Sequence, residues 1–279
     1  MQPVNQQQGF DTSNSKMLRE ILIILSALVL IVMLVLWLIS NVASWAVSAV
    51  PTSVDTMLGE SAATDYINDA NRCTNPALDE YLSQLTKPLL AEFGEQPYTF
   101  QFSVIDEEVP NAFALPGGFV AIHSGLIDSA STGEEIAGVL AHEIAHVTHR
   151  HGMKRILRSA GVAVAVGYIF GSTDLALLAD YASELGSLSY DRDEEREADE
   201  TAREILAAAK IDPRGMAIFF AKLLEEEGDS GWAAGFLSTH PDLKERIEDS
   251  LNAPVPTGRR TELPKPTGLP CHTKESNNE

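Results

Sequence analysis

The sequence is short of positive charge. It sets 20 lysines and arginines against 40 acidic side chains, a net charge of −20. In residues 1–50 Asp11, Lys16, Arg19 and Glu20 cancel, so the excess acid lies entirely in residues 51–279. Such a body repels phosphate backbones, which argues against a nucleic-acid partner. Cysteine is scarce too. Cys73 and Cys271 are the only two, and neither stands in a C-x-x-C motif. They are either one disulfide tying the tail to the start of the domain, which an extracytoplasmic location allows, or two free thiols. No internal repeat is present, which excludes a solenoid or propeller. With 44% hydrophobic and 22% charged residues the composition is that of a globular protein with a sizeable core.

One stretch lacks charge altogether. Ile21–Ile39 holds 19 residues whose one polar group is Ser26. At ~1.5 Å per residue this helix nearly matches a hydrocarbon core of ~30 Å, and Trp37 and Trp45 suit the interface. Lys16 and Arg19 precede it and no basic residue follows until Arg72. The positive-inside rule then places residues 1–17 in the cytoplasm and the body across the membrane, the periplasmic side in a bacterium. A cleaved signal peptide, with Val47-Ser48-Ala49 as its cleavage site, is the rival. The apolar run is longer than the ~7–15 residues usual there, which favours an uncleaved single-pass anchor over 18–40.

The rest divides by composition. Residues 1–17 read as a disordered tail and 41–75 as a polar linker. A folded domain spans 76–252, and 253–279 form a flexible Pro-rich tail. In residues 77–93 Leu78, Tyr81, Leu82, Leu85, Leu89 and Phe93 recur at helical spacing despite Pro88. Residues 98–105 alternate apolar and polar as a half-buried strand does. Residues 111–127 read as a strand pair broken at Pro116-Gly117-Gly118. Helices dominate after residue 131. Ser131-x-x-Glu134 and Thr132-x-x-Glu135 both match a capping box, so a helix starts near Gly133 and should stop around Gly152. Strands first and helices afterwards indicate an α+β class. The apolar segment 161–170 is too short to span a membrane and reads as core or active-site cover.

The helix after Gly133 contains His142-Glu143-x-x-His146. Positions i and i+4 share a face, so both histidines can hold one metal ion, while Glu143 points about 100° away and can act on a water beside it. Ile136, Val139, Leu140, Ile144 and Val147 make this helix apolar nearly all round, hence buried, where unpaired polar side chains would be costly. The third ligand is open. A metzincin would need Gly at 149 and His at 152, but His149 and Gly152 stand there. His149, Arg150 and His151 read as cations at a helix C-terminus. In residues 189–204 Glu195 and Asp199 stand i, i+4 as E-x-x-A-D; Glu195 can ligate and Asp199 can accept the free ring N–H of a ligating histidine. By composition alone the same stretch reads as a solvated acidic helix start. His240-Pro241, with Arg246 six residues on, reads as a plain helix start.

His142-Glu143-x-x-His146, Glu195-x-x-Ala198-Asp199 and His240-Pro241-x-x-x-x-Arg246, in this order, resemble the HtpX-like and CaaX-prenyl-protease-type family of zinc metallopeptidases, and residues 111–126 resemble the segment this family carries before its zinc helix. The resemblance implies a mostly helical zincin-type domain with a small antiparallel sheet, here preceded by the one transmembrane helix read from the apolar run. It implies one zinc ion on His142, His146 and Glu195, with Glu143 as general base, Asp199 behind the ligands, and His240 and Arg246 at the active site. His240 would be either an oxyanion partner or a latency ligand. Phe119, Val120, Ala121 and Ile122 would form an edge strand that pairs with extended protein substrates. The implied activity is an endopeptidase clearing misfolded membrane or secreted proteins. A chaperone-like assembly factor that keeps the fold is the alternative. A closed structural zinc site would leave Glu143 without purpose. Family members with several membrane spans differ from this chain, which shows one.

Overall fold

The computed structural model describes residues 12–67, 71–160, 189–230, 239–240 and 243–271, with Gly167, Gly171 and Phe236 singly. Most of the 161–170 segment lies outside them.

Helix α1 (Thr12–Ala49) runs unbroken for 38 residues. Its Lys16–Val35 stretch is long and apolar enough to cross a membrane, and no described part of the protein covers it. The Ser26 hydroxyl donates back to the Leu22 carbonyl at 2.7 Å, so the one polar side chain between Ile21 and Val35 is satisfied within the helix. Beyond it Val47 and Val50 are buried and the chain turns at Pro51.

The expected linker contains a helix, α2 (Thr52–Tyr66). Val54, Leu58 and Ala62 recur every four residues and bury one face. Small residues let α2 press on the Pro116–Gly118 turn. A Cβ on Gly59 would lie 1.8 Å from the Pro116 carbonyl oxygen, and Gly117, at φ 76°, sits against Thr56. Helix α3 (Pro76–Glu92) is capped by Asn75 and buries Leu78, Tyr81, Leu82, Leu85 and Leu89.

The strands are β1 (Gln101–Ile105), β2 (Ala112–Leu115) and β3 (Phe119–His123), in the order β1-β3-β2. The sheet is mixed rather than antiparallel: β2 and β3 form a hairpin, while β1 flanks β3 in parallel on the other side. The expected edge, Phe119–Ile122, is therefore the central strand. It is apolar on both faces and buried throughout, which fits a strand covered on both sides. The real edge on the hairpin side is β2. His123 N–H donates to Asn111 C=O, so by antiparallel alternation the main-chain groups of Ala112 and Ala114 point away from β3.

Helix α4 (Ser124–Ser129) leads to α5 (Gly133–Thr148), where Thr132 caps the Glu135 amide and Glu135 reaches back to the Ser131 amide. Helices α6 (His151–Ala160), α7 (Arg192–Ala208), α8 (Arg214–Ser230) and α9 (Leu243–Leu251) follow. α7 and α8 pack against α5, and a Cβ on Gly138 would meet Met216 of α8 at 2.7 Å. The sheet divides the core. Val104, Val120 and Ile122 face α3, α5 and α8, whereas Ile105, Phe113, Leu115 and Ala121 face a second cluster built by Val47, Val50, α2 and α6.

Residues 254–271 are not a free tail. Thr261 bonds the Lys210 and Ala209 carbonyls, Leu263 and Leu269 pack on the core, and Asn75 donates to the Pro270 carbonyl. Cys271 forms a disulfide with Cys73, closing a separation of 198 residues. Five prolines keep this strap extended without needing a sheet partner.

Candidate metal centre

α5 is buried at every position from Glu135 to Val147, and its two motif histidines stand one above the other. Their Nε2 atoms converge to 2.9 Å. From α7, Glu195 brings Oε2 to 3.5 Å from the His142 Nε2 and Oε1 to 3.4 Å from the His146 Nε2. His240 adds Nδ1 at 3.3 Å from the His142 Nε2 and 3.0 Å from Glu195 Oε1. Donor atoms of these four residues all lie within 4.8 Å of one another, and all four are buried.

This set fits a zinc ion on its own chemistry. Imidazole nitrogens and a carboxylate converging in a buried site are the donors zinc selects. Beside them the fully buried Glu143 carboxylate meets the Ala114 amide and, at 3.5 Å, the His240 Nε2, contacts too few to satisfy a charge. A buried charge so poorly paired is costly, and this one borders the point where the donors converge. Burial, then the Glu195 charge, pushes the Glu143 carboxyl well above its usual range; the Ala114 amide on the free edge of β2 acts the other way. Burial would also raise Glu195, but His240 and Arg246 outweigh it and hold that carboxyl well below its usual range. Burial lowers His240 to about 4 against the pull of Glu195.

Behind the donors lies a carboxylate frame. Asp199, one turn after Glu195 on α7, sits 2.9 Å from the His142 Nδ1. Arg246 of α9 donates Nε to Asp199 at 2.6 Å, pairs with Glu195, and lies 5.0 Å over the Phe220 ring. Burial is again the largest influence on Asp199, and Arg246 with His142 overcomes it, so this carboxyl also titrates low. Thus the structure brings His142, Glu143, His146, Glu195, Asp199, His240 and Arg246 together. It does not bring Phe119–Ile122 to the site as an edge; Ala114 of β2 faces Glu143 instead.

Helix α5 ends earlier than expected. Arg150 adopts φ 54°, a left-handed turn uncommon outside glycine and asparagine, and a new helix begins at His151. Arg150 is held there by Asp55 and by the Val47 and Val50 carbonyls, so it serves as a cation at the end of α1, not of α5. Neither is His151 a terminal cation. It is fully buried, and burial followed by His146 lowers its ring to about 2. Its Nδ1 lies 2.8 Å from the His146 Nδ1, and its Nε2 3.0 Å from Glu197. Tyr190 stacks on the His146 ring at 3.7 Å, and Arg155 lies 4.1 Å over Tyr190. The sequence held no signal for His151 or Tyr190: on an unbroken helix a residue five after His146 points elsewhere.

Residues 76–253 match the family model of peptidase family M48. The chain belongs to this family. Among similar proteins, the beta-barrel assembly-enhancing protease of Escherichia coli is 30% identical over 219 residues, 74% of this chain and 45% of that protein. The mitochondrial metalloendopeptidase OMA1 of Schizosaccharomyces pombe is 33% identical over 169 residues, 60% of this chain and 50% of OMA1. The metalloprotease LoiP of E. coli is 30% identical over 197 residues, 66% of this chain and 76% of LoiP. The chain thus spans about half the length of the first two.

Proposed function

We propose that this M48 chain is a zinc-dependent endopeptidase of the HtpX-like group, anchored by α1 with its N-terminus in the cytoplasm and its body outside, and acting on extended segments of misfolded membrane or secreted proteins. One observation carries the reading: the paired Nε2 atoms of His142 and His146 converge with Glu195 beside the fully buried Glu143. The similarity to a beta-barrel assembly-enhancing protease and to a mitochondrial metalloendopeptidase supports proteins as the substrate class.

His142, His146 and Glu195 would hold the ion. Zinc, when bound, supplies a Lewis acid that polarises the scissile carbonyl and brings water ionisation near neutral pH. The Glu143 carboxylate takes a proton from the attacking water and returns it to the leaving amine nitrogen. Asp199 holds the His142 ring through Nδ1, and Arg246 holds Asp199 and Glu195 in place. The free edge of β2 at Ala112 and Ala114 pairs with substrate main chain, which gives weak sequence preference. His240 is the latency ligand, a role favoured by its Nδ1 lying among the donors of the other three residues.

The test uses the full chain in detergent, with zinc content and casein cleavage measured beside Glu143→Gln. Zinc in both proteins and cleavage in the wild type alone is the expected result. Absence of zinc from the wild type overturns the reading. His240→Ala should cleave faster at unchanged zinc content; slower cleavage would assign His240 to the oxyanion. Protease added outside spheroplasts should digest the body and spare residues 1–17, and a protected body would reverse the topology.

A further inference from the structure

The two ligand histidines lean on different partners. His142 presents its Nδ1 to a carboxylate, Asp199, at 2.9 Å. His146 presents its Nδ1 to a second imidazole, the Nδ1 of His151, at 2.8 Å, and that imidazole continues from Nε2 to Glu197 at 3.0 Å. Two nitrogens at this distance need one proton between them, so the tautomers are linked. A His146 ring that offers its Nε2 lone pair to an ion carries its proton on Nδ1. His151 Nδ1 must then be the acceptor, its own proton sits on Nε2, and Glu197 accepts that.

We propose that His151 is a positioning residue for His146: a Glu197–His151–His146 chain of hydrogen bonds selects the tautomer and fixes the ring plane in which His146 offers Nε2 to the metal. The proposal rests on the zinc reading of the site. Tyr190, stacked on the same ring, restrains its tilt but not its tautomer. The chain exists because of the turn at Arg150, which folds His151 back beneath His146.

A rival use of these residues is a second cation site, since His149, His151 and Glu197 also bring donor atoms within 4.8 Å of one another. The tautomer chain opposes it: with its Nδ1 accepting from His146, His151 has a proton on Nε2 and no lone pair left for a cation. The Lys154 ammonium, 3.5 Å from the same Glu197 oxygen, opposes it as well.

The test compares His151→Asn with His151→Gln in the full chain in detergent. An asparagine carbonyl stands where Nδ1 is, a glutamine carbonyl where Nε2 is, so the first keeps an acceptor for His146 and the second does not. Zinc affinity is read by competition with a chromophoric chelator, and ligand geometry by the visible bands of the cobalt-loaded protein. Removing an outer partner of a ligating histidine lowers metal affinity about 10–100-fold. His151→Gln should fall in that range with altered cobalt bands, and His151→Asn within about threefold of wild type with its bands kept. Equal affinities of the two variants overturn the proposal, whether both are weak or both are like wild type. Two zinc ions per wild-type chain, one of them lost in both variants, overturn it in favour of the second cation site. A wild type that binds no zinc is a different result, the failure of the zinc reading itself.

Discussion

Two helices meet at the site and solve the same problem in opposite ways. α5 is buried from Glu135 to Val147, so each polar residue facing the interior is an exception that needs a partner or an ion. α7 opens with Arg192, Asp193, Glu194, Glu195 and Arg196, and buries only a stripe of Glu194, Glu195, Ala198, Asp199, Ala202 and Leu206. On α5 function stands out against an apolar background. On α7 the acids that matter are hidden among acids that face solvent, and their burial separates them.

Breaking α7 should have the largest effect. Glu195→Gln should abolish zinc retention through a desalting step and all cleavage with it, while Glu194→Gln keeps the metal, as does Glu197→Gln, whose amide oxygen still accepts from His151; complete zinc loss from Glu197→Gln with Glu195→Gln retaining the metal would move the ligand by two residues. Glu143→Gln on α5 should lower the cleavage rate about 10²–10⁴-fold, the range of a lost general base, with zinc content unchanged. Asp199→Ala should weaken zinc by about 10–100-fold in chelator competition, because His142 loses the partner of its Nδ1. Thr132→Ala, at the start of α5, should lower stability by about 1 kcal/mol in a denaturant titration with zinc content unchanged, since only a cap is lost. A zinc defect there would mean that the start of α5, too, shapes the site.

The contrast also explains what could be read in advance. The start of α5, its buried character and His142, Glu143 and His146 follow from a capping box and a period. Glu195 and Asp199 were legible as an i, i+4 pair, and the ordered motifs singled them out. The rest depends on contacts between distant parts of the chain. Phe119–Ile122 is central rather than an edge because β1 arrives on its far side, which no local pattern encodes. The 41–75 segment and the strap of 254–271 look polar and proline-rich, yet each packs on the domain. His151 reaches His146 through a left-handed turn at Arg150 that Asp55, 95 residues away, holds in place.

That turn changes what the anchor is. Arg150 reaches Val47, Val50 and Asp55 on one side, and on the other it divides the helix of His142 and His146 from the helix of His151. On the proposed membrane reading, a tilt of α1 would reach the joint beneath the metal site through Arg150. A body released by cutting at residue 51 would lose two of the acceptors of Arg150 and bare the cluster around Leu58. One released near residue 42 would keep both.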